Sequence, residues 1–253
     1  MAGRMTSSAT ASLTVHFPSG ADARLDQDQE WCELEADGGR RKIRFHDYGE
    51  IYAVPGLYEH LFYERLKCQS PAVVSELLVG QVAIAGQDPA ALRALDLGAG
   101  NGMVGEALRE RGVRELVGVD IVPEAGEAAE RDRPGVYSEY HVCDLLAPPA
   151  GIPERLESRS FSAMTSVAAL GFGDVPPEVF LAAFDLVEDG GWVAYTIKED
   201  FLEDEDASGF SALISRMLSD GRLEERAQRR YRHRLDVRGE PLHYVAMVGV
   251  KRG

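Results

Sequence analysis

An α/β domain built on a mostly parallel sheet is predicted by three observations. Short apolar runs of strand length alternate with helix-patterned stretches from about residue 90 to residue 219. One of those strands, in "LDLGAGNGMVG" (95–105), runs into a loop carrying glycines at positions 98, 100, 102 and 105. The two ends of the chain instead show alternating patterns joined by turn residues, the mark of antiparallel hairpins.

The elements follow in order. Residues 12–17, "SLTVHF", alternate as a strand does, and "WCELEADGGRRKIRFHDY" reads as two strands joined at Asp37-Gly38-Gly39, where glycine supplies the positive φ of a hairpin turn. Residues 1–47 are therefore expected to be a tail plus a small β appendage, and residues 48–253 the main body. "PGLYEHLFYERL", from Pro55, has helical spacing, and "SPAVVSELLVGQVAIA" opens with Ser70 as the expected N-cap and Pro71 at the first helical position. Strands then follow at "ALRALDL", "ELVGVD", "YHVC", "FSAMTSV" and "WVAYTIK", with helices from about Gly102, Pro123, Pro177 and around "SGFSALISRML". Apolar strands alternating with helices imply a sheet covered on both faces. "RLEERAQRRYRHRLDV" and "PLHYVAMVGVKR", separated by Arg238-Gly239-Glu240, form an antiparallel pair at the sheet edge.

Composition narrows the function classes. The 45% hydrophobic and 27% charged content is that of an ordinary globular protein, and no apolar run is long enough to span a bilayer. The first residues lack the apolar stretch of a secretory signal, so a cytoplasmic location is expected. A net charge of −15 opposes phosphate backbones and disfavours nucleic acid as partner. Arg230, Arg232 and Arg234 would share one face of a strand and are expected to be solvated or paired. The three cysteines are too few and too far apart to suggest a metal or redox site, the histidines lack ligand spacing, and no metal is expected. Self-association is left open.

The glycine loop at the end of the first main-domain strand lies where open parallel sheets bind ligands. Gly100, Gly102 and Gly105 satisfy G-x-G-x-x-G, so a dinucleotide remains one reading. Asp96, two residues before the loop, would repel a pyrophosphate and could attract the ammonium of an amino-acid ligand. Asp120 closes the second strand, where a carboxylate can accept from both ribose hydroxyls. Asp144 closes the third and could accept from an adenine amine. A ligand with an amino acid, a ribose and an adenine, but no phosphate, matches the three acids in order.

At these residues the chain resembles the class I S-adenosylmethionine-dependent methyltransferases: "ALDLGAGNGMVGEAL" is similar to their first motif, "VGVDIVPE" to their second-strand acid and "HVCDLL" to their third. The resemblance covers about residues 70–251. It implies a Rossmann-like sandwich around a seven-stranded sheet, the last strand lying between the fifth and sixth, and S-adenosyl-L-methionine as cofactor. It also implies a cofactor site made of Asp96, Gly98, Ala99, Gly100, Asn101, Gly102, Asp120, Ile121, Asp144, Leu145 and Val167. Ser162 departs from the family, whose members commonly carry an acid there.

Family members often cover the cofactor with a lid before the first strand, so Tyr48, Tyr52 and Tyr58 are expected lid residues. His46 is the candidate base. Phe172 and Lys198, in loops after the fourth and fifth strands, are candidate substrate contacts, while Asp174 is read as a helix cap and His233 as structural. No N-P-P-Y element follows the fourth strand, which marks down amino-methylation of nucleic acid. The expected reaction is in-line methyl transfer to an oxygen or nitrogen of a small molecule. A non-catalytic S-adenosylmethionine-binding module and a nicotinamide-dependent oxidoreductase are the alternatives.

Overall fold

The computed structural model describes residues 13–36, 38–171, 173–199 and 208–253. Its main sheet is built from β4 (Arg93–Leu97), β5 (Glu115–Asp120), β6 (Glu139–Val142), β7 (Phe161–Ser166), β8 (Val187–Lys198), β9 (Leu223–Leu235) and β10 (Pro241–Lys251). They lie in the order β6-β5-β4-β7-β8-β10-β9, parallel from β6 to β8, with β10 antiparallel to both neighbours. The last strand thus inserts between the fifth and sixth of this sheet, and the predicted hairpin supplies both the insertion and the edge. Strand order reverses between β4 and β7, where a crevice opens beyond the strand ends. Leu97 stands in register with Val119 on one side and Ser166 on the other, so the three following loops start level.

Alternation along the strands sorts residues onto two cores. Leu95 and Leu97 pack with Phe180 and Phe184 of α6 (Pro177–Asp185) and Leu213 and Met217 of α7 (Phe210–Ser219). Ala94 faces the other way, toward Val74, Leu78 and Val82 of α2 (Ser70–Ile84) and Val104 and Leu108 of α3 (Met103–Glu110). Apolar residues three or four apart make those helix faces. Helix α4 (Pro123–Asp132) buries Ala125, Ala128 and Ala129, small residues that let it lie close beneath the lid. No described helix is long and apolar enough to cross a membrane.

A second, three-stranded antiparallel sheet holds β1 (Thr14–His16), β2 (Trp31–Ala36) and β3 (Gly39–Arg44). Its core residues Val15, Cys32, Leu34, Ile43 and Phe45 are continuous with Ile51, Leu57, Leu61 and Leu66 from the following segments and with Val237 beyond β9.

Several local expectations change. Helix does begin at Ser70, but Gln69 occupies the cap position; the Ser70 hydroxyl instead meets Tyr231 Oη at 2.5 Å and His233 Nδ1 at 2.7 Å. The segment after Pro55 is π-helical over Glu59–Arg65, preceded by α1 (Tyr48–Tyr52). A short helix, α5 (Ile152–Ser158), lies between β6 and β7, where no helix is expected from the sequence. Arg230, Arg232 and Arg234 do not share one face. A bulge opposite Leu242/His243 breaks the alternation, leaving Arg230 exposed against Glu199 and turning Arg234 into the interior.

Candidate functional site

The crevice at the reversal point holds two adjoining chambers. The first, of about 870 Å³, is walled by Val119, Asp120, Ile121, Cys143, Asp144 and Leu145 from the ends of β5 and β6, and by Val175 and Val179 near α6. The second, of about 730 Å³, lies over the glycine loop and reaches Gln27, Phe45, His46, His233, Arg234 and Tyr244. Tyr48, Tyr52 and Tyr58 line both chambers, as do Gly98, Val167, Ala168 and Asp174.

The loop's shape is dictated by its glycines where space runs out. A Cβ on Gly100 would strike the Tyr52 hydroxyl, and Gly102, at φ 90°, turns the chain into α3 in a conformation that side chains strain. Asp120 holds this loop from the neighbouring strand: Oδ2 accepts from Gly100 N at 2.8 Å and Oδ1 from Val122 N at 2.9 Å. Burial raises the Asp120 pKa, and those backbone donors oppose the rise. A carboxylate has about four lone-pair sites, so accepting capacity remains for a ligand. Asp144 Oδ1 accepts from Leu146 N at 2.8 Å, and Ile121, 61% exposed, presents an apolar side chain at the first chamber.

Asp96 corrects an expectation. Strand alternation sends its side chain to the same sheet face as Ala94, beneath the loop, where it is 1% exposed. There it accepts from Tyr137 Oη at 2.6 Å and Thr165 Oγ1 at 2.7 Å, and it lines neither chamber. Burial pushes its pKa up to about 6, against the pull of those two hydroxyls. The Tyr137 ring reaches it only because Gly105 has no Cβ, which would stand 2.8–2.9 Å from ring atoms.

Asn101 is buried and donates through Nδ2 to Glu59 Oε1 at 2.7 Å, while its Oδ1 has no partner. Arg133 completes this junction, donating to Glu59 at 2.7 Å, to Asn101 O at 3.1 Å and to Glu106 at 2.9 Å. Arg131 reaches Tyr52 O at 3.0 Å. Two arginines at the end of α4 thus clamp both lid segments. Above them the rings of Tyr48, Tyr52, Tyr58 and Phe62 follow one another at centroid distances of 6.0, 5.0 and 4.9 Å. At the end of β7, Ala168 takes a left-handed φ of 57°, and its N–H donates to Thr196 Oγ1 at 2.7 Å. Strain of that kind gathers at functional sites.

His46 Nδ1 lies 3.0 Å and 3.2 Å from the two carboxylate oxygens of Asp174, which places Asp174 at the site in addition to its position before α6. Lys198 ends β8 opposite Tyr244 and is not among the described walls of either chamber. Phe172 lies outside the described residues. Sequence reasoning passed over Gln27, Cys68 and Tyr244 as site residues, no local pattern marks them, and it read Arg234 only as a solvated or paired strand residue. His233, read as structural, is buried against Tyr244 at 4.1 Å and also borders the second chamber. Burial and the adjacent Arg234 drive its pKa well below the usual histidine range.

The donor set suits a phosphate-free nucleoside with an amino-acid tail. Asp120 keeps accepting capacity for ribose hydroxyls, and the unpartnered Asn101 Oδ1 is a buried acceptor beside the loop. No described wall residue offers a free cation for a diphosphate.

A family model described as a methyltransferase domain matches residues 69–234. Human methyltransferase-like protein 27 is 29% identical over 130 residues, an alignment covering 51% of this chain and 50% of that protein. The chain thus spans about half the length of this curated relative. Among solved structures, the N-methyltransferase NodS of Bradyrhizobium japonicum, in complex with S-adenosyl-L-homocysteine, has a TM-score of 0.55 at 10% identity, covering 83% of this chain and 98% of that one. A candidate RNA methyltransferase of Pyrococcus horikoshii has a TM-score of 0.52 at 14% identity, covering 74% and 88%. At such identities these two likenesses establish the fold, while the family match decides between the cofactor readings and removes the nicotinamide alternative. The chain belongs to the class I S-adenosylmethionine-dependent methyltransferase family.

Proposed function

We propose that the protein transfers the methyl group of S-adenosylmethionine to a nitrogen or oxygen of a small molecule. The observation that carries this reading is the pair of chambers meeting under one tyrosine roof, with the residues suited to a nucleoside on one side and the His46–Asp174 pair on the other. S-adenosylmethionine, when bound, supplies an electrophilic methyl group. Asp120 and Asp144 would hold its ribose and adenine amine, Ile121 and Leu145 its adenine faces, and Asn101 Oδ1 its amino group. Gly98, Ala99, Gly100 and Gly102 provide bare backbone beside it, and Val167 the floor.

The chain's own residues then have to align an acceptor and exclude water, which together can lower a barrier by ~7–11 kcal/mol in favourable cases. Tyr48, Tyr52 and Tyr58 close the crevice. Asp174 accepts from His46 Nδ1–H and so orients the imidazole toward proton removal from the acceptor. A small acceptor is favoured because the second chamber is roofed by the N-terminal segments, and the charge of −15 disfavours a nucleic acid.

Calorimetric titration with S-adenosylmethionine tests the assignment. Asp120→Ala should weaken binding by about 1.5–3 kcal/mol, the worth of hydrogen bonds to a charged group. Unchanged affinity would remove the assigned pocket. Binding without label transfer to any acceptor in cell extract would instead favour a non-catalytic module.

A further inference from the structure

We propose that the second chamber selects a small amine as methyl acceptor, an inference that rests on the methyl-transfer reading above. Three independent features of its walls lead there.

The first is charge. Among the described walls of this chamber the carboxylate is Asp174 and the guanidinium is Arg234. Arg234 is neutralised from behind by Glu30 at 2.5 Å, and its second nitrogen donates to Leu235 O at 2.9 Å. His233 is held neutral by burial and by Arg234. That leaves Asp174, whose carboxylate meets His46 Nδ1 at 3.0 Å, as the acidic group of these walls, with no cation other than the already paired Arg234 among the described wall guanidinium and ammonium groups.

The second is the ring lining. Phe45, Tyr58, Phe62, Tyr63 and Tyr244 border the chamber, locked by mutual contacts: Phe45 to Phe62 at 5.6 Å, Tyr58 to Phe62 at 4.9 Å and Tyr58 to Tyr63 at 6.0 Å. Aromatic faces around a carboxylate attract ammonium groups through the ring quadrupole.

The third is an orphaned acceptor. Gln27 donates through Nε2 to Tyr244 Oη at 2.7 Å, which leaves its Oε1 buried in the wall with no partner. Buried polar atoms are nearly always satisfied, and an N–H of the acceptor satisfies this one. An alcohol could meet Gln27 but gains nothing from the rings and the carboxylate. A carboxylic acid or phosphate meets Asp174 and finds no uncommitted cation in the walls.

The step balances simply. The bound ammonium gives one proton to His46, which passes it to solvent. The nitrogen lone pair then forms the new N–C bond as the C–S bond breaks, and that bond's electron pair stays on sulfur. The product leaves as the methylated ammonium, with neutral S-adenosylhomocysteine.

The test is calorimetry on the full chain, first with S-adenosylhomocysteine and then, on the saturated protein, with phenethylamine, phenethyl alcohol and hydrocinnamate. Phenethylamine should bind about ten-fold tighter than the alcohol, as a desolvated cation–π site allows, with hydrocinnamate weakest. Asp174→Asn should erase the amine's advantage over the alcohol. Failure of S-adenosylhomocysteine to bind would fell the underlying reading. Binding of it, with the amine absent or no tighter than the alcohol or the acid, would overturn the amine assignment alone.

Discussion

Glu30 and Arg234, 204 residues apart in the chain, meet in an almost fully buried ion pair at 2.5 Å. Glu30 also accepts from Val237 N at 2.7 Å, so one carboxylate joins the segment leading into the N-terminal sheet to the turn of the β9–β10 hairpin. Removing one partner of such a pair leaves a buried charge uncompensated. Glu30→Ala should therefore cost about 3–5 kcal/mol in urea unfolding. Glu30→Gln, which keeps an acceptor for Val237, should lose less. A stability unchanged in Glu30→Ala would mean the sheet is not tied down through this pair.

The His46–Asp174 contact separates chemistry from binding. If His46 removes a proton during transfer, His46→Ala should lower kcat by roughly 10²–10⁴-fold. KM should move far less. Asp174→Asn should lower kcat by a smaller factor, since the imidazole remains and the amide oxygen can still accept from it, but the carboxylate charge that favours the protonated ring is gone. Steady-state kinetics on the two variants decides this, and a wild-type kcat in His46→Ala would retire the base.

Asp96 makes stability depend on pH in a direction opposite to that of most paired carboxylates. Its folded pKa, raised to about 6 by burial, exceeds the ordinary value of 3.8, so between those values the native state binds more protons than the unfolded one. Its contribution is thus most favourable below pH 4 and is lost as pH rises through 6. Asp96→Asn removes the titration. Relative to that variant, the wild type should lose about 2–3 kcal/mol between pH 4 and pH 7, measured by denaturant unfolding across the range. Parallel profiles for the two proteins would contradict the assignment.

Arg133, 9% exposed in its side chain, holds Glu59 of the lid and the carbonyl of Asn101 at once. Arg133→Met keeps much of the packing but frees the lid from the glycine loop. S-adenosylhomocysteine should then dissociate about ten-fold faster, the effect of losing hydrogen bonds to a charged group. Stopped-flow release would show it, and an unaltered off-rate would mean that the lid opens without breaking this junction.

The reach of local pattern is plain in the site itself. Asp120 at the end of β5 and Asp144 just past the end of β6 follow from apolar runs of strand length, and the loop from Gly98 to Gly102 from the cost of side chains at positive φ. Both are properties of neighbouring residues, so both could be read before any packing was known. The family resemblance drew on the same stretch. The side-chain directions were harder. Asp96 points under the loop because its strand has helices on both faces, and which face receives a given residue depends on what lies there. Arg234 turned inward because a bulge at the His233 position shifted the alternation by one residue, and nothing in "RRYRHRL" announces it.

The chain's order alone thus pointed to the fold class and to the glycine loop with its strand-end acids, since helical and strand periods and glycine conformations are written in adjacent positions. Packing of remote segments assigned the rest: His46 to Asp174 across 128 residues, Glu30 to Arg234, and Gln27 to Tyr244 across 217. Each of those partnerships forms only when burial removes water from polar groups and leaves a distant side chain as the available partner, and no spacing in the sequence encodes that.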